Sequence, residues 1–248
     1  MDVFICMYDD EMGRTAALQA RRQTDATPGN PDNTEYESLQ PGLRVSSNYL
    51  LDGPGDFYSF TCGVLIKSDV TGVEFMTVAS HSSPVETGVG VFHPFPSTGR
   101  QIGQLVPEAG RMDISLVELR NGETFHNTTF ENEITPTAIH LKQLRSPRKC
   151  KAGDTVYLDS PDTGCIEGSL GRPAYQRTPS DNPLETKHHW VRVQWYYMGQ
   201  DDGRNLREEI CGSAIWNLDG DVLGVFRYAP RDGAMVDWLC GNCCRRAH

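Results

Sequence analysis

Between residues 57 and 229 the chain is built from short apolar runs, and turn-forming residues separate them at brief intervals. FYSFTCGVLI (57–66) and GVEFMTVAS (72–80) are joined by a polar connection, as two arms of a hairpin are. QIGQLV (101–106), DISLVEL (113–119), AIHLKQL (138–144), TVYLDS (155–160), CIEGSLGR (165–172), WVRVQWYYM (190–198), SAIWN (213–217) and DVLGVFRYA (221–229) follow. The last two are separated by Leu218-Asp219-Gly220, a turn signal. Strands this closely spaced, with no helical period between them, predict an antiparallel barrel or sandwich rather than a parallel sheet.

The 24 glycines and 15 prolines among 248 residues suit a fold with many tight turns. A formal net charge of −10 repels phosphate backbones, so no nucleic-acid partner is expected. No apolar stretch is long enough to span a bilayer, and no membrane partner is expected. The opening MDVFICMYDDEMG lacks the basic start and sustained apolar core of a secretory signal. The expected location is therefore cytoplasmic, unless a leader or a longer chain precedes it. Eight cysteines at irregular spacing are expected as reduced thiols.

Three segments carry chemistry. Thr77-Val78-Ala79-Ser80-His81 ends a strand in a histidine, and Asp113-Ile114-Ser115-Leu116 opens a strand with an aspartate. Cys211-Gly212-Ser213-Ala214-Ile215-Trp216 sets a cysteine just before a strand and a tight hairpin. The order His, Asp, Cys and these flanking strands resemble the chymotrypsin-like peptidases, whose matching runs read T-A-A-H, D-I-A-L and G-D-S-G. The resemblance extends over about residues 57 to 230. It implies an all-β fold of two six-stranded antiparallel barrels with a cleft between them. The first barrel (41–140) would carry His81 and Asp113, and the second (141–248) Cys211, with a C-terminal helix burying Met235, Trp238 and Leu239. Residues 1–40 are expected to form an N-terminal extension with a helical stretch over Asp9–Gln23 and a polar loop or linker over Thr24–Tyr36.

By the same resemblance Cys211 is the nucleophile, His81 its general base and acid, and Asp113 the group that orients the imidazole. A thiol suits this role because beside an imidazolium it exists as thiolate. The backbone N–H groups of Glu209 and Cys211 would form the oxyanion hole. Here the sequence departs from the family, which writes Gly-Asp before its nucleophile where this chain has Glu209-Ile210. Arg227, Tyr228 and Ala229 replace the family's Ser-Trp-Gly at the specificity pocket. A cation at 227 would select an acidic side chain, fill the pocket, or pair with Glu209. Ser82 stands where secreted relatives carry the cysteine that bonds to the equivalent of Cys62, so Cys62 is expected as a small buried hydrophobe.

Two activities follow: a peptidase acting through a Cys-His-Asp triad, or a pseudopeptidase that keeps the cleft as a protein-binding module. Either takes a peptide or protein in the inter-barrel cleft and needs no cofactor. Ser213 is the alternative nucleophile, disfavoured because Gly212 matches the glycine that follows the family's nucleophile. No metal site is expected. Cys243 and Cys244 are adjacent beside Cys240 and His248, and alternation turns His188 and His189 apart. Asn127-Thr128-Thr129 matches a glycosylation acceptor, which means little without secretion.

Overall fold

The apolar runs pair as antiparallel strands, and in the computed structural model these strands close into two barrels. The structure describes residues 5–7, 21–27, 29–47, 57–68, 71–80, 88–106, 114–145, 149–171, 174–177, 189–197, 206, 208–228 and 238–243. The first sheet contains β1 (Ile5–Met7), β2 (Arg44–Ser47), β3 (Tyr58–Thr61), β4 (Leu65–Ser68), β5 (Glu74–Ala79), β6 (Gly90–His93), β7 (Arg100–Val106) and β8 (Ile114–Leu119). Its order is β1-β4-β5-β8-β7-β6-β2-β3. The run expected as one strand over 57–66 is broken at Cys62–Val64 into β3 and β4. β3 pairs with β2 and β4 with β5, so the bend joins the two ends of the sheet and closes the barrel. Gly63 makes the bend possible: a β-carbon there would run into the Thr77 hydroxyl and lie 2.9 Å from the Gly212 carbonyl oxygen.

The second sheet contains β9 (Gln143–Leu144), β10 (Thr155–Ser160), β11 (Gly164–Leu170), β12 (Ala174–Arg177), β13 (His189–Tyr197), β14 (Ala214–Trp216), β15 (Asp221–Tyr228) and β16 (Trp238–Cys243). Six of them run β11-β10-β14-β15-β16-β13, and pairing of β13 back onto β11 closes the ring. β9 lies parallel to the start of β15. The C-terminal helix expected around Trp238 and Leu239 is corrected to a strand over Trp238–Cys243. Gly241 and Asn242 are poor helix formers. The facing edges of β13 and β15 supply a backbone ladder on both sides of β16. The helical stretch expected over Asp9–Gln23 lies outside the described residues up to position 20. Arg21 forms an extended bridge with Glu131.

Alternation along the strands sorts the side chains into three apolar clusters. Met76, Val78 and Val117 point into the first barrel, with Phe60, Cys62, Ile102, Tyr36 and Leu39. Ile210, Ile215, Leu223 and Phe226 fill the second, and Ala79 of β5 joins them from the first. Between the barrels Val64, Ile66, Ile114 and Leu116 meet Leu141, Tyr157, Val222 and Trp216. Trp216 is 1% exposed and stacks on Tyr157 with ring centroids 5.1 Å apart. Asn127 is buried beneath the first barrel, its side-chain amide bonded to both the N–H and the C=O of Leu65. That pairing removes it as a glycosylation acceptor in the folded chain.

The polar stretch read as a loop or linker over 24–36 is anchored between the barrels. Arg22 donates to Asp32 and Asp159 at 3.0 Å each and to the Gly42 carbonyl at 2.7 Å, with its guanidinium 4.3 Å from the Phe130 ring. Asp32 N–H donates to the Pro161 carbonyl, and Arg44 donates to Asp162 at 2.6 Å. Ion pairs this buried are sound only while every partner is present; losing one leaves a buried charge and costs roughly 3–5 kcal/mol.

His93, fully buried, fastens the end of this segment to the start of β2. Its Nδ1 lies 2.6 Å from the Arg44 carbonyl oxygen, and its Nε2 accepts the Tyr36 N–H at 2.9 Å. An amide only donates and a carbonyl only accepts, so the ring is neutral with its proton on Nδ1. Burial lowers its pKa from 6.5 to about 4. Unfolded chains therefore bind a proton here that the native state refuses between those values. The His93 contribution is intact above pH 6.5 and is lost progressively as pH falls to about 4, amounting to roughly 3 kcal/mol. Urea denaturation at stepped pH is expected to show this fall and to show it flattened in His93→Gln. A stability that stays level from pH 7 to pH 4.5 contradicts the neutral, buried ring.

Candidate functional site

The segment from Glu208 to Ser213 is a single shaped loop between β13 and β14. Glu208–Ile210 makes one turn of 3-10 helix and drives Ile210, 0% exposed, into the second-barrel core. Ser213 then closes a tight turn, its N–H and its hydroxyl both donating to the Ile210 carbonyl at 3.2 and 2.7 Å. Gly212 sits inside that turn at φ +97°, a conformation that favours glycine. The loop is tied to β15 by Gly212 N–H to the Phe226 carbonyl and by Phe226 N–H to the Ser213 carbonyl.

The first barrel grips the same loop. Thr61, at the end of β3, donates its N–H to the Cys211 carbonyl at 3.0 Å and its hydroxyl to the Glu209 carbonyl at 2.9 Å. A β-carbon added to Gly212 would collide with the Thr61 carbonyl oxygen and lie 3.1 Å from the Ala79 nitrogen. Three successive carbonyls, at 209, 210 and 211, are thus each held by a named donor. A trans peptide points its N–H opposite to its C=O, so anchoring the Ile210 carbonyl on Ser213 fixes the direction of the Cys211 N–H.

Cys211 is 3% exposed, and its Sγ donates to the Arg227 carbonyl oxygen at 2.8 Å. Glu209 and Arg227 are half-buried. The ion pair between them entertained from the sequence is not among those that the described residues form. Arg227 instead meets Cys211 through its backbone. Tyr228 ends β15, its backbone opposite Cys240, and Ala229 lies outside the described residues. Ser213, the alternative nucleophile, is fully buried with its hydroxyl engaged inside the turn.

His81 and Asp113 also lie outside the described residues, but the strands that flank them do not. Ala79, near the end of β5, is paired with Ile114, the first residue of β8, and the Ser80 and Ser115 hydroxyls are 2.9 Å apart. The end of β5 and the start of β8 therefore lie side by side, and Ala79 packs into the cluster that contains Cys211. Cys62 is fully buried, donates its thiol to the Gln40 carbonyl, and is pushed up to about 12 by burial. It is the inert hydrophobe expected. Among the described residues no group of three or more His, Cys, Asp or Glu is placed to hold a metal ion, and no helix is long and apolar enough to cross a membrane.

Thr61 was missed in the sequence. Its only signal is a hydroxyl inside the apolar run Phe60-Thr61-Cys62-Gly63-Val64, immediately before the bend.

No protein-family model and no curated protein matches the chain. Solved structures do match in fold. A glutamic acid specific serine protease that uses a histidine triad in substrate binding aligns with a TM-score of 0.54 at 11% identity, over 83% of this chain and 93% of its own. The Nocardiopsis protease NAPase gives 0.53 at 11% identity, over 83% and 92%. Thermobifida fusca protease A gives 0.51 at 12% identity, over 83% and 91%. What is shared at these identities is the chymotrypsin-like double β-barrel.

The loop geometry has a direct test in two glycines. Gly153 has φ +94° with open space around the position of a β-carbon, whereas Gly212 has both a positive φ and the Thr61 carbonyl in the way. Gly153→Ala is expected to cost about 1 kcal/mol of unfolding free energy, from backbone strain alone. Gly212→Ala is expected to cost at least about 2 kcal/mol more. Equal losses in the two variants would contradict the close approach of the barrels at Gly212.

Proposed function

We propose that the chain is a peptidase that cuts peptide bonds through a Cys-His-Asp triad. Cys211 is the nucleophile, His81 the general base and acid, and Asp113 the carboxylate that orients the imidazole. The observation that supports the reading is the meeting of three elements at one place: the end of β5, the start of β8 and the loop carrying Cys211. Each of the three residues is on, or within two positions of, one of those elements.

In this mechanism the thiol passes its proton to His81, and the thiolate attacks the substrate carbonyl. Negative charge collects on the carbonyl oxygen and is met by the N–H groups of Glu209 and Cys211. His81 returns the proton to the departing amine, leaving a thioester on Cys211 that water hydrolyses by the same steps. Replacing the family's glycine by Glu209 keeps a backbone N–H, so the donor set is chemically complete. The peptide would lie in the inter-barrel cleft, with Arg227, Tyr228 and Ala229 beside the side chain that sets specificity. A cation at 227 favours an acidic side chain there.

A second reading has its own observation. The Cys211 thiol is covered and donates to the Arg227 carbonyl, and a sulfur that donates is protonated. This arrangement suits a pseudopeptidase that binds peptides without cutting them. Turnover requires the thiol to exchange that carbonyl for the imidazole of the triad.

The alkylation rate of Cys211 against pH, read by mass spectrometry in the wild type and in His81→Ala, separates the two. A peptidase is expected to alkylate rapidly well below pH 7 and to lose that reactivity in the variant. A rate that rises only near an ordinary thiol pKa of about 8.5, unchanged in His81→Ala, overturns the peptidase reading in favour of the binding module.

A further inference from the structure

The geometry points to Thr61 as the positioning residue of the Cys211 loop, doing with a hydroxyl what the Gly-Asp sequence of the chymotrypsin-like peptidases leaves undone here. Its consequence for turnover rests on the peptidase reading above; the positioning itself does not.

The peptide planes around Cys211 are set by what their carbonyls touch. The Ile210 carbonyl is held within the loop by Ser213, a local contact that any tight turn of this kind makes. The Glu209 and Cys211 carbonyls both accept from Thr61, which comes from the other barrel. Thr61 is itself immobilised. It is fully buried, and its strand neighbour Cys62 accepts the Gly42 N–H and donates its own N–H to Leu43. Gly42 in turn accepts from Arg22, whose guanidinium also holds Asp159 of the second barrel. The chain of contacts therefore leaves the second barrel at Asp159, crosses the first, and returns to the second at Glu209.

This arrangement explains how Glu209-Ile210 can stand before the nucleophile. Ile210 anchors the loop by apolar burial. The Thr61 hydroxyl holds the Glu209 carbonyl and so fixes the plane that precedes the Ile210–Cys211 peptide. Threonine is suited to the task because one buried residue offers two donors, a backbone N–H and a hydroxyl, aimed at carbonyls two positions apart. Thr61 touches neither substrate nor the reacting atoms and acts only through the loop.

Thr61→Val keeps the shape and removes the hydroxyl, while Thr61→Ser keeps the hydroxyl and removes a methyl group. Hydrogen exchange followed by mass spectrometry is expected to show the peptide spanning 206–214 exchanging about tenfold faster in Thr61→Val, with 155–170 unchanged and Thr61→Ser close to wild type. In parallel, kcat on a peptide substrate is expected to fall at least about tenfold in Thr61→Val with KM unaltered, and to be largely retained in Thr61→Ser. Unchanged exchange at 206–214 in Thr61→Val overturns the positioning role, whatever the activity. Exchange that rises equally in 206–214 and 155–170 also overturns it, because Thr61 would then support the whole fold rather than the loop. A wild type without turnover removes the peptidase reading alone, and the exchange measurement still decides the role of Thr61.

Discussion

Two hydrogen bonds from Thr61 join the first barrel to the loop that carries Cys211 in the second. Thr61 ends the strand whose bend closes the first barrel, and its two donors reach the carbonyls of Glu209 and Cys211 in the second. Around this contact the backbones approach so closely that side chains are excluded. Gly63 faces the Gly212 carbonyl, and Gly212 faces Thr61 and Ala79. Hydrogen bonds fix direction where apolar packing fixes only proximity. The apolar seam of Val64, Ile66, Ile114 and Leu116 against Trp216 and Tyr157 brings the barrels together, and the polar contacts at Thr61 set their register.

The chain uses an unusual residue to anchor the loop that carries Cys211. The chymotrypsin-like sequences place an aspartate directly before the nucleophile, and a buried carboxylate needs a partner charge to offset a desolvation penalty of several kcal/mol. Ile210 needs none: burying such a side chain stabilises by roughly 1.5–3 kcal/mol without any partner. Charge is concentrated elsewhere, where Arg22 joins Asp32 and Asp159 and where Arg44 joins Asp162. Those pairs pin β2 and the segment before it to the β10–β11 hairpin. The loop that carries Cys211 is thus held by apolar burial and backbone hydrogen bonds.

Much of the fold was legible because alternation and turn chemistry agree along most strands. Residues 155–160 form β10 as read, and the Leu218-Asp219-Gly220 turn joins β14 to β15. What escaped was structure made by partners distant in sequence. Trp238–Cys243 contains glycine and asparagine and shows no strand pattern of its own, but lies between β13 and β15. Arg44–Ser47 looks polar, yet Ser46 and Ser47 are fully buried, and the Ser46 hydroxyl donates to the Pro94 carbonyl. The segment after Thr24 reads as a loop or linker because Asp32 and Tyr36 bond to residues far along the chain, Pro161 and His93. At the candidate site the same division holds. Cys211 and the strands beside His81 and Asp113 carry local motifs, whereas the role of Thr61 exists only once the barrels have met.

We propose that Cys211 is a nucleophile presented where the two barrels meet. The most direct test is intact-protein mass spectrometry after a brief exposure to an activated peptide ester, followed by digestion to locate any acyl group. The expected result is a single hydroxylamine-labile acyl group on the peptide containing Cys211, formed by the folded protein and absent after denaturation in urea. No acyl group on Cys211, or one that forms equally well in the unfolded chain, would contradict it.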